Sequence, residues 1–122
     1  MIEAKLLVDK FIDQIVIIAD QRKFVSALII PEYGALEKYA QTNGISFTSR
    51  EDLCSNGKIH QMITERIETL QQQLAHYEQI KRFTLLPKPF TMESGELTNT
   101  LKMRRKVINE HYKNEIEKMY AE

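Results

Sequence analysis

The chain has 122 residues, 43% apolar and 28% charged, and its 17 Lys plus Arg balance 17 Asp plus Glu to a formal net charge of zero. That length supports one domain with one core, and the composition excludes a disordered chain and a coiled-coil rod. A zero balance argues against a bulk electrostatic search for nucleic acid or acidic lipid and leaves room only for a local basic patch. The single cysteine, Cys54, excludes an intrachain disulfide and a cysteine-only metal site, and points to a reducing compartment. Met1-Ile2-Glu3-Ala4-Lys5-Leu6-Leu7 lacks the charged-then-apolar order of a signal peptide. No apolar run reaches the roughly 18 residues of a membrane helix, so a cytoplasmic domain with no transmembrane segment is expected.

In chain order, Ile2 to Lys10 reads as a short helix with Ile2 and Leu6 on one side. No Ser, Thr, Asp or Asn stands before Ile2 to receive its first free amides, as expected if a longer chain had been cut here. Two runs rich in β-branched residues follow, Gln14 to Ala19 and Phe24 to Ile30, too short for ordinary helices. The polar Asp20-Gln21-Arg22-Lys23 between them predicts an antiparallel hairpin, and their nearly unbroken apolar character predicts burial on both faces. Pro31 closes the second strand. Glu32 to Gln41 predicts a helix with Leu36, Tyr39 and Ala40 inward, ended by the left-handed turn that Asn43-Gly44 supplies.

Ser46 to Gly57 is polar and reads as irregular. From Lys58 to Tyr77, Ile59, Ile63, Ile67, Leu70, Leu74 and Tyr77 recur at spacings of four and three, which predicts one long amphipathic helix. Ile80 to Leu86 reads as a third strand, stopped by Pro87 and Pro89, and Phe90 to Thr100 as a loop with its own turn residues. Arg104 to Tyr120 predicts a final helix with Val107, Ile108, Tyr112, Ile116, Met119 and Tyr120 inward. The fold class is therefore α+β: a small, mostly antiparallel sheet of about three strands packed with helices, in a single domain over residues 1–122.

The densest chemical feature is Lys102-Met103-Arg104-Arg105-Lys106, four cations in five positions where the loop enters the last helix. Cations at a helix start oppose the macrodipole at ~0.3–1 kcal/mol each when exposed, a cost that an anionic ligand would offset. The alternative is a solvated basic turn balanced by Glu93, Glu96 and Glu110. His60, His76 and His111 show no ligand-like spacing to Cys54 or to one another, so no metal site is expected and the three are read as surface or boundary residues. Cys54, in a polar stretch without a sequence-near His, reads as an ordinary thiol. On these features alone, a free-standing interaction or regulatory module, using its basic helix start to bind an anionic partner, stands as the alternative to an enzyme domain.

The ordered segments Tyr77-Glu78-Gln79-Ile80-Lys81-Arg82-Phe83-Thr84-Leu85-Leu86-Pro87, Phe90-Thr91 and Gly95-Glu96-Leu97-Thr98-Asn99-Thr100-Leu101-Lys102-Met103-Arg104-Arg105 resemble the end of AMP-forming acyl-CoA synthetases, above all the long-chain fatty acid–CoA ligases. The likeness extends upstream to Phe24 through Pro31. It implies the small C-terminal lid domain of that family, which follows a large N-terminal domain holding the ATP and fatty-acid sites. The implied reaction joins a fatty acid to ATP as an acyl-adenylate with loss of pyrophosphate; coenzyme A then displaces AMP. The lid turns between the two steps and inserts a lysine for the first, and by resemblance Lys102 takes that lysine's place as the catalytic residue. ATP, Mg2+ and CoA are implied for the whole enzyme and none for this domain by itself. The implied partners are its own N-terminal domain and the substrates fatty acid, ATP and CoA, with no nucleic acid.

The chemistry suits a lysine on a mobile loop. Carboxylate and triphosphate repel each other, and an ammonium stays charged at neutral pH and can bridge their oxygens. One such contact at ~4 Å contributes up to about 4 kcal/mol at an effective dielectric near 20, before desolvation. Arg104, Arg105 and Lys106 could meet coenzyme A phosphates or the large domain's acids, or stand as plain surface charge. The sequence departs from the wider superfamily in having Leu101, not glycine, directly before the lysine, as the long-chain branch commonly does. It departs from many of that branch in having Asn99 where proline is frequent, which frees a backbone angle. The family hinge, its glycine-rich hairpin, the phosphate-binding loop and the acyl pocket find no counterpart in these residues, so the isolated chain is expected to lack ligase activity.

Overall fold

The computed structural model describes residues 6–7, 9–19 and 22–121. Its three strands, β1 (Ile12–Ile18), β2 (Val25–Pro31) and β3 (Ile80–Leu85), form one sheet in the order β1-β2-β3. β1 and β2 are the expected antiparallel hairpin, with Ile15 opposite Ile29 and Ile17 opposite Ala27. β2 and β3 run parallel, with Ala27 opposite Phe83 and Ile29 opposite Leu85, so the sheet is mixed. A parallel neighbour requires a crossover, and the chain makes it with three helices: α1 (Tyr33–Thr42), α2 (Arg50–Ser55) and α3 (Gly57–Leu70). Two more, α4 (Arg105–His111) and α5 (Lys113–Tyr120), follow the sheet. The predicted opening helix, Ile2 to Lys10, lies largely outside the described residues.

β2 is the centre of the core. All seven of its residues are buried, as a strand covered on both faces must be. Leu28, Ile29 and Ile30 are at most 1% exposed, and each such side chain contributes about 1.5–3 kcal/mol by leaving water. The edge strand β1 has an exposed Asp13 and half-buried Gln14 and Ile17. Around the sheet, Leu36 and Ala40 of α1, Leu53 of α2, Ile59, Ile63 and Ile67 of α3, and Ile108, Ile116 and Met119 of α4 and α5 complete the core.

Tyr120 ties α5 to the hairpin. Its hydroxyl receives a hydrogen bond from Ser26 Oγ at 2.9 Å and lies 2.6 Å from the Phe24 carbonyl and 3.1 Å from that of Ile18, while its ring stacks on Phe24. Arg82 of β3 donates to the carbonyls of Met119 and Ala121, satisfying groups that the end of α5 leaves free. Two glutamines act as short lengths of strand. The Gln14 amide exchanges both bonds with the backbone of Phe90, and the Gln71 amide does the same with Ile80.

Three expectations about helices are corrected. The stretch from Ser46 to Gly57 contains α2, whose N-cap Ser49 accepts from Asp52 N at 3.1 Å while Thr48 donates to the Asp52 carboxylate. The two bonds from Thr48, hydroxyl and backbone, hold the Asp52 carboxyl below the usual carboxylate range. The helix predicted to reach Tyr77 ends at Leu70, because Gln71 turns its side chain to pair with Ile80; Tyr77, expected inward, is 81% exposed. The helix predicted over Arg104 to Tyr120 is broken at Tyr112, whose backbone leaves helical values and whose ring meets Phe90 edge-on at 6.1 Å.

Candidate functional site

Between β3 and α4 the chain builds a small hairpin with Lys102 beside its tip. Phe90, 2% exposed, anchors the entry, and a turn closed by Gly95 N on the Met92 carbonyl leads into it. Leu97 and Met103 then form an antiparallel bridge. Thr98 N donates to the Lys102 carbonyl at 2.8 Å and Leu101 N to the Thr98 carbonyl at 2.9 Å. This is the pattern of a three-residue loop, Asn99-Thr100-Leu101, whose last position takes the left-handed conformation. Leu101 has φ +63°, the only positive value at a non-glycine among the described residues. Glycine occupies such a position without steric cost, whereas leucine holds it at roughly 1–2 kcal/mol. The departure at Leu101 therefore changes the residue and keeps a backbone that glycine would also adopt.

Lys102 is exposed. Its backbone is fixed on both sides, since Lys102 N donates to Thr98 Oγ1 at 3.0 Å and its carbonyl accepts from Thr98 N. Its side-chain ammonium makes no hydrogen bond or ion pair among the described residues. A free cation on a fixed backbone can enter a neighbouring cleft by side-chain torsions alone. Leu101 beside it is 65% exposed.

The other cations of the run have separate surroundings. Arg104 is exposed and is the N-cap of α4 without a side-chain cap bond, and Lys106 is exposed on the first turn of that helix. Arg105 turns back to the sheet edge, where Nη1 donates to the Ile17 carbonyl at 3.3 Å. It lines a cleft of about 290 Å³ with Arg22, Asn109, Lys113 and Glu117; Arg22 and Glu117 pair at 3.0 Å. Of the acids expected to balance the run, Glu96 is turned away from it and is 3% exposed. It lies between Ser94 Oγ at 2.7 Å and His111 Nδ1 at 2.9 Å. Burial, then the nearby charges of Glu96 and Glu115, push the Tyr112 phenol up from its ordinary value.

His60 stacks on Phe83 at 4.3 Å, His76 lies 3.2 Å from the Lys81 amine, and His111 lies against Glu96. Among the described residues no three His, Cys, Asp or Glu side chains gather as a metal ion would require. Cys54 is half-buried in α2, not in a loop, and its sulfur lies 2.9 Å from the Tyr33 hydroxyl, which donates to the Leu86 carbonyl at 2.7 Å. Burial raises both the thiol and the phenol above their ordinary values, which keeps Cys54 protonated and a weak nucleophile. No helix among the described residues is long and apolar enough to cross a membrane.

A family model described as the AMP-binding enzyme C-terminal domain matches residues 1–122. The chain belongs to this family. It is 33% identical over 125 residues to long chain acyl-CoA synthetase 8 of Arabidopsis thaliana, covering 98% of this chain and 17% of that protein. It is 32% identical over 121 residues to the long-chain-fatty-acid–CoA ligase FadD15 of Mycobacterium tuberculosis, covering 98% of this chain and 20% of the relative. Among solved structures, the adenylation domain of a carboxylate reductase from Mycobacterium chelonae superposes with a TM-score of 0.79 at 26% identity, covering 99% of this chain and 17% of that one. The chain thus spans about a fifth or less of the proteins it matches. As an AMP-binding enzyme C-terminal domain it has its exposed lysine on a braced hairpin.

What the residue pattern missed is the support beneath that hairpin: Gln14 on Phe90, and Ser94 and His111 on Glu96. Gln14 lies 76 residues from Phe90, so no local signal announces the contact. Ser49 followed by Asp52 does carry a local signal, a capping pattern that marks the start of α2.

Proposed function

We propose that this domain is the mobile lid of a long-chain fatty acid–CoA ligase and that Lys102 is its catalytic residue in the adenylation half-reaction. The reading rests above all on one observation: within a chain of this family, the Lys102 side chain is exposed and unpaired among the described residues while its backbone is held on both sides. In the whole enzyme the lid closes on a separate N-terminal domain that binds ATP and the fatty acid. Carboxylate attack at the α-phosphorus crowds negative oxygens, and the Lys102 ammonium neutralises them, acting as electrostatic support and not as a nucleophile. Pyrophosphate leaves, the lid turns, and coenzyme A takes the acyl group with release of AMP. A lysine suits a group that enters and leaves each cycle, because one point charge on a flexible stem makes few contacts that must be broken. By itself the 122-residue chain has no ligase activity.

The test separates the half-reactions in the full-length ligase. Lys102→Ala lowers the rate of acyl-adenylate formation, followed as pyrophosphate release, by about 10²–10³-fold, the usual loss for one preorganised charge-stabilising group. Thioester formation from supplied acyl-adenylate and coenzyme A changes less than about threefold, under 1 kcal/mol. Equal losses in both half-reactions defeat the assignment.

A further inference from the structure

The Lys102 hairpin leaves the body of the domain at Glu96 and returns at Arg104, and Arg104 N donates to the Glu96 carbonyl at 2.8 Å to close its base. The Glu96 carboxylate points inward and each of its oxygens has a partner. Oε1 accepts from Ser94 Oγ at 2.7 Å and Oε2 lies 2.9 Å from His111 Nδ1. A carboxylate only accepts, so Nδ1 bears the proton and donates. Taking a carboxylate out of water is costly unless donors replace the lost hydration, and here the donors are one hydroxyl and one imidazole. Glu96 makes no ion pair with Lys or Arg among the described residues.

The position of this pair gives it a consequence. Arg104, one stem of the hairpin, caps the start of α4, with Ile108 N bonded to its carbonyl at 3.1 Å. His111 is the last residue of α4. One helix therefore holds both stems, the Arg104 side through the backbone and the Glu96 side through the imidazole. If the imidazole tie is removed, the hairpin keeps its internal bonds at Thr98 and Lys102 and is left to tilt about its backbone ties, Arg104 N on the Glu96 carbonyl and Leu97 N on the Thr91 carbonyl at 3.1 Å.

We propose that Glu96 and His111 form a positioning clamp that sets the angle at which the hairpin presents Lys102. The catalytic consequence rests on the reading of Lys102 given above; the coupling of Glu96 to the hairpin does not. Two measurements keep the two claims apart. The first is amide hydrogen exchange followed by NMR on the 122-residue chain. His111→Ala raises exchange at Arg104 and Leu97, whose amides bond the Glu96 and Thr91 carbonyls, by about tenfold, as for loss of one charge-assisted hydrogen bond, while Leu28 in β2 keeps its protection. His111→Asn, whose amide nitrogen stands where Nδ1 stood, restores it, and adding Glu96→Gln to His111→Ala produces little further change because the pair acts as a unit. Should His111→Ala fail to fold, His111→Phe, which keeps a ring and lacks Nδ1, gives the same comparison. Unchanged exchange at Arg104, or an equal rise at Leu28, overturns the clamp.

The second measurement is adenylation by the full-length ligase. His111→Ala lowers kcat by about tenfold at nearly constant KM for ATP, as for loss of a transition-state interaction, and His111→Asn recovers most of the rate. A rise in KM with kcat intact, or no recovery with Asn, overturns the catalytic half of the proposal. If Lys102→Ala leaves adenylation intact while His111→Ala still loosens Arg104, the lysine assignment falls and the clamp stands.

Discussion

Between Val25 and Pro31 every residue is buried; between Leu97 and Arg104 none is. The two segments are of similar length and are stabilised by different physics. β2 is held by apolar area removed from water and by hydrogen-bonded neighbours on both sides, so no single contact decides its place. The hairpin has one bridge and a few bonds across its loop, and it keeps an unpaired cation and an exposed leucine in solvent. Local stability varies within a fold, and segments that must move or meet a partner come from its weakly held end. The difference teaches that the strand supplies the stability against which the hairpin can hold a charge and a strained residue in place.

The largest expected contrast comes from truncating each region. Leu28→Ala, at a site with 0% exposure, should destabilise the chain by about 2–5 kcal/mol in chemical denaturation. Lys102→Ala, at an exposed site, should change stability by less than about 0.5 kcal/mol. Similar values for the two would break the comparison.

A smaller effect follows from pH. Burial raises the Cys54 thiol and the Tyr33 phenol in the folded chain, so unfolding lets both lose protons at lower pH than folding does. The stability these groups contribute is therefore complete below the unfolded thiol range. It is lost as pH climbs past the ordinary thiol and phenol values of about 8.5 and 10. An ionised Tyr33 no longer donates to the Leu86 carbonyl, and a loss of about 1–3 kcal/mol is expected under strongly alkaline conditions. Denaturation series from pH 7 to alkaline values check this, and Tyr33→Phe should flatten the slope.

The smallest effect sharpens the description of the hairpin. Leu101→Gly places the residue best suited to φ +63° and should stabilise the fold by about 1 kcal/mol in chemical denaturation. Destabilisation by a similar amount would mean that the exposed leucine side chain contributes contacts that outweigh its backbone cost.

Much of this molecule was legible in its residues. The apolar runs around Ile15 and Ile29 announced a hairpin, the four-and-three spacing of Ile59, Ile63 and Ile67 announced the buried face of α3, and Asn43-Gly44 announced the turn after α1, where Gly44 has φ +68°. These signals are local: periodicity and turn chemistry act over a few residues and need no distant partner. The same stripe continued past Leu70 misled, since Leu74 and Tyr77 keep the spacing although Gln71 has already turned the chain to pair with Ile80. The resemblance carried by the segment from Gly95 to Arg105 singled out Lys102, but not what holds its loop.

Sequence alone determined the α+β class, the first hairpin and the buried strand, because each follows from residue type and short-range spacing; Lys102 was singled out by resemblance. Only the tertiary structure decided that β3 lies parallel to β2, that Gln14 holds Phe90, and that Glu96 turns from the basic run to His111. Those outcomes join residues far apart in the chain or choose among several possible partners. That choice is made when packing excludes water and each buried polar atom must find a bond, and among the described residues no buried side-chain nitrogen or oxygen is left without one.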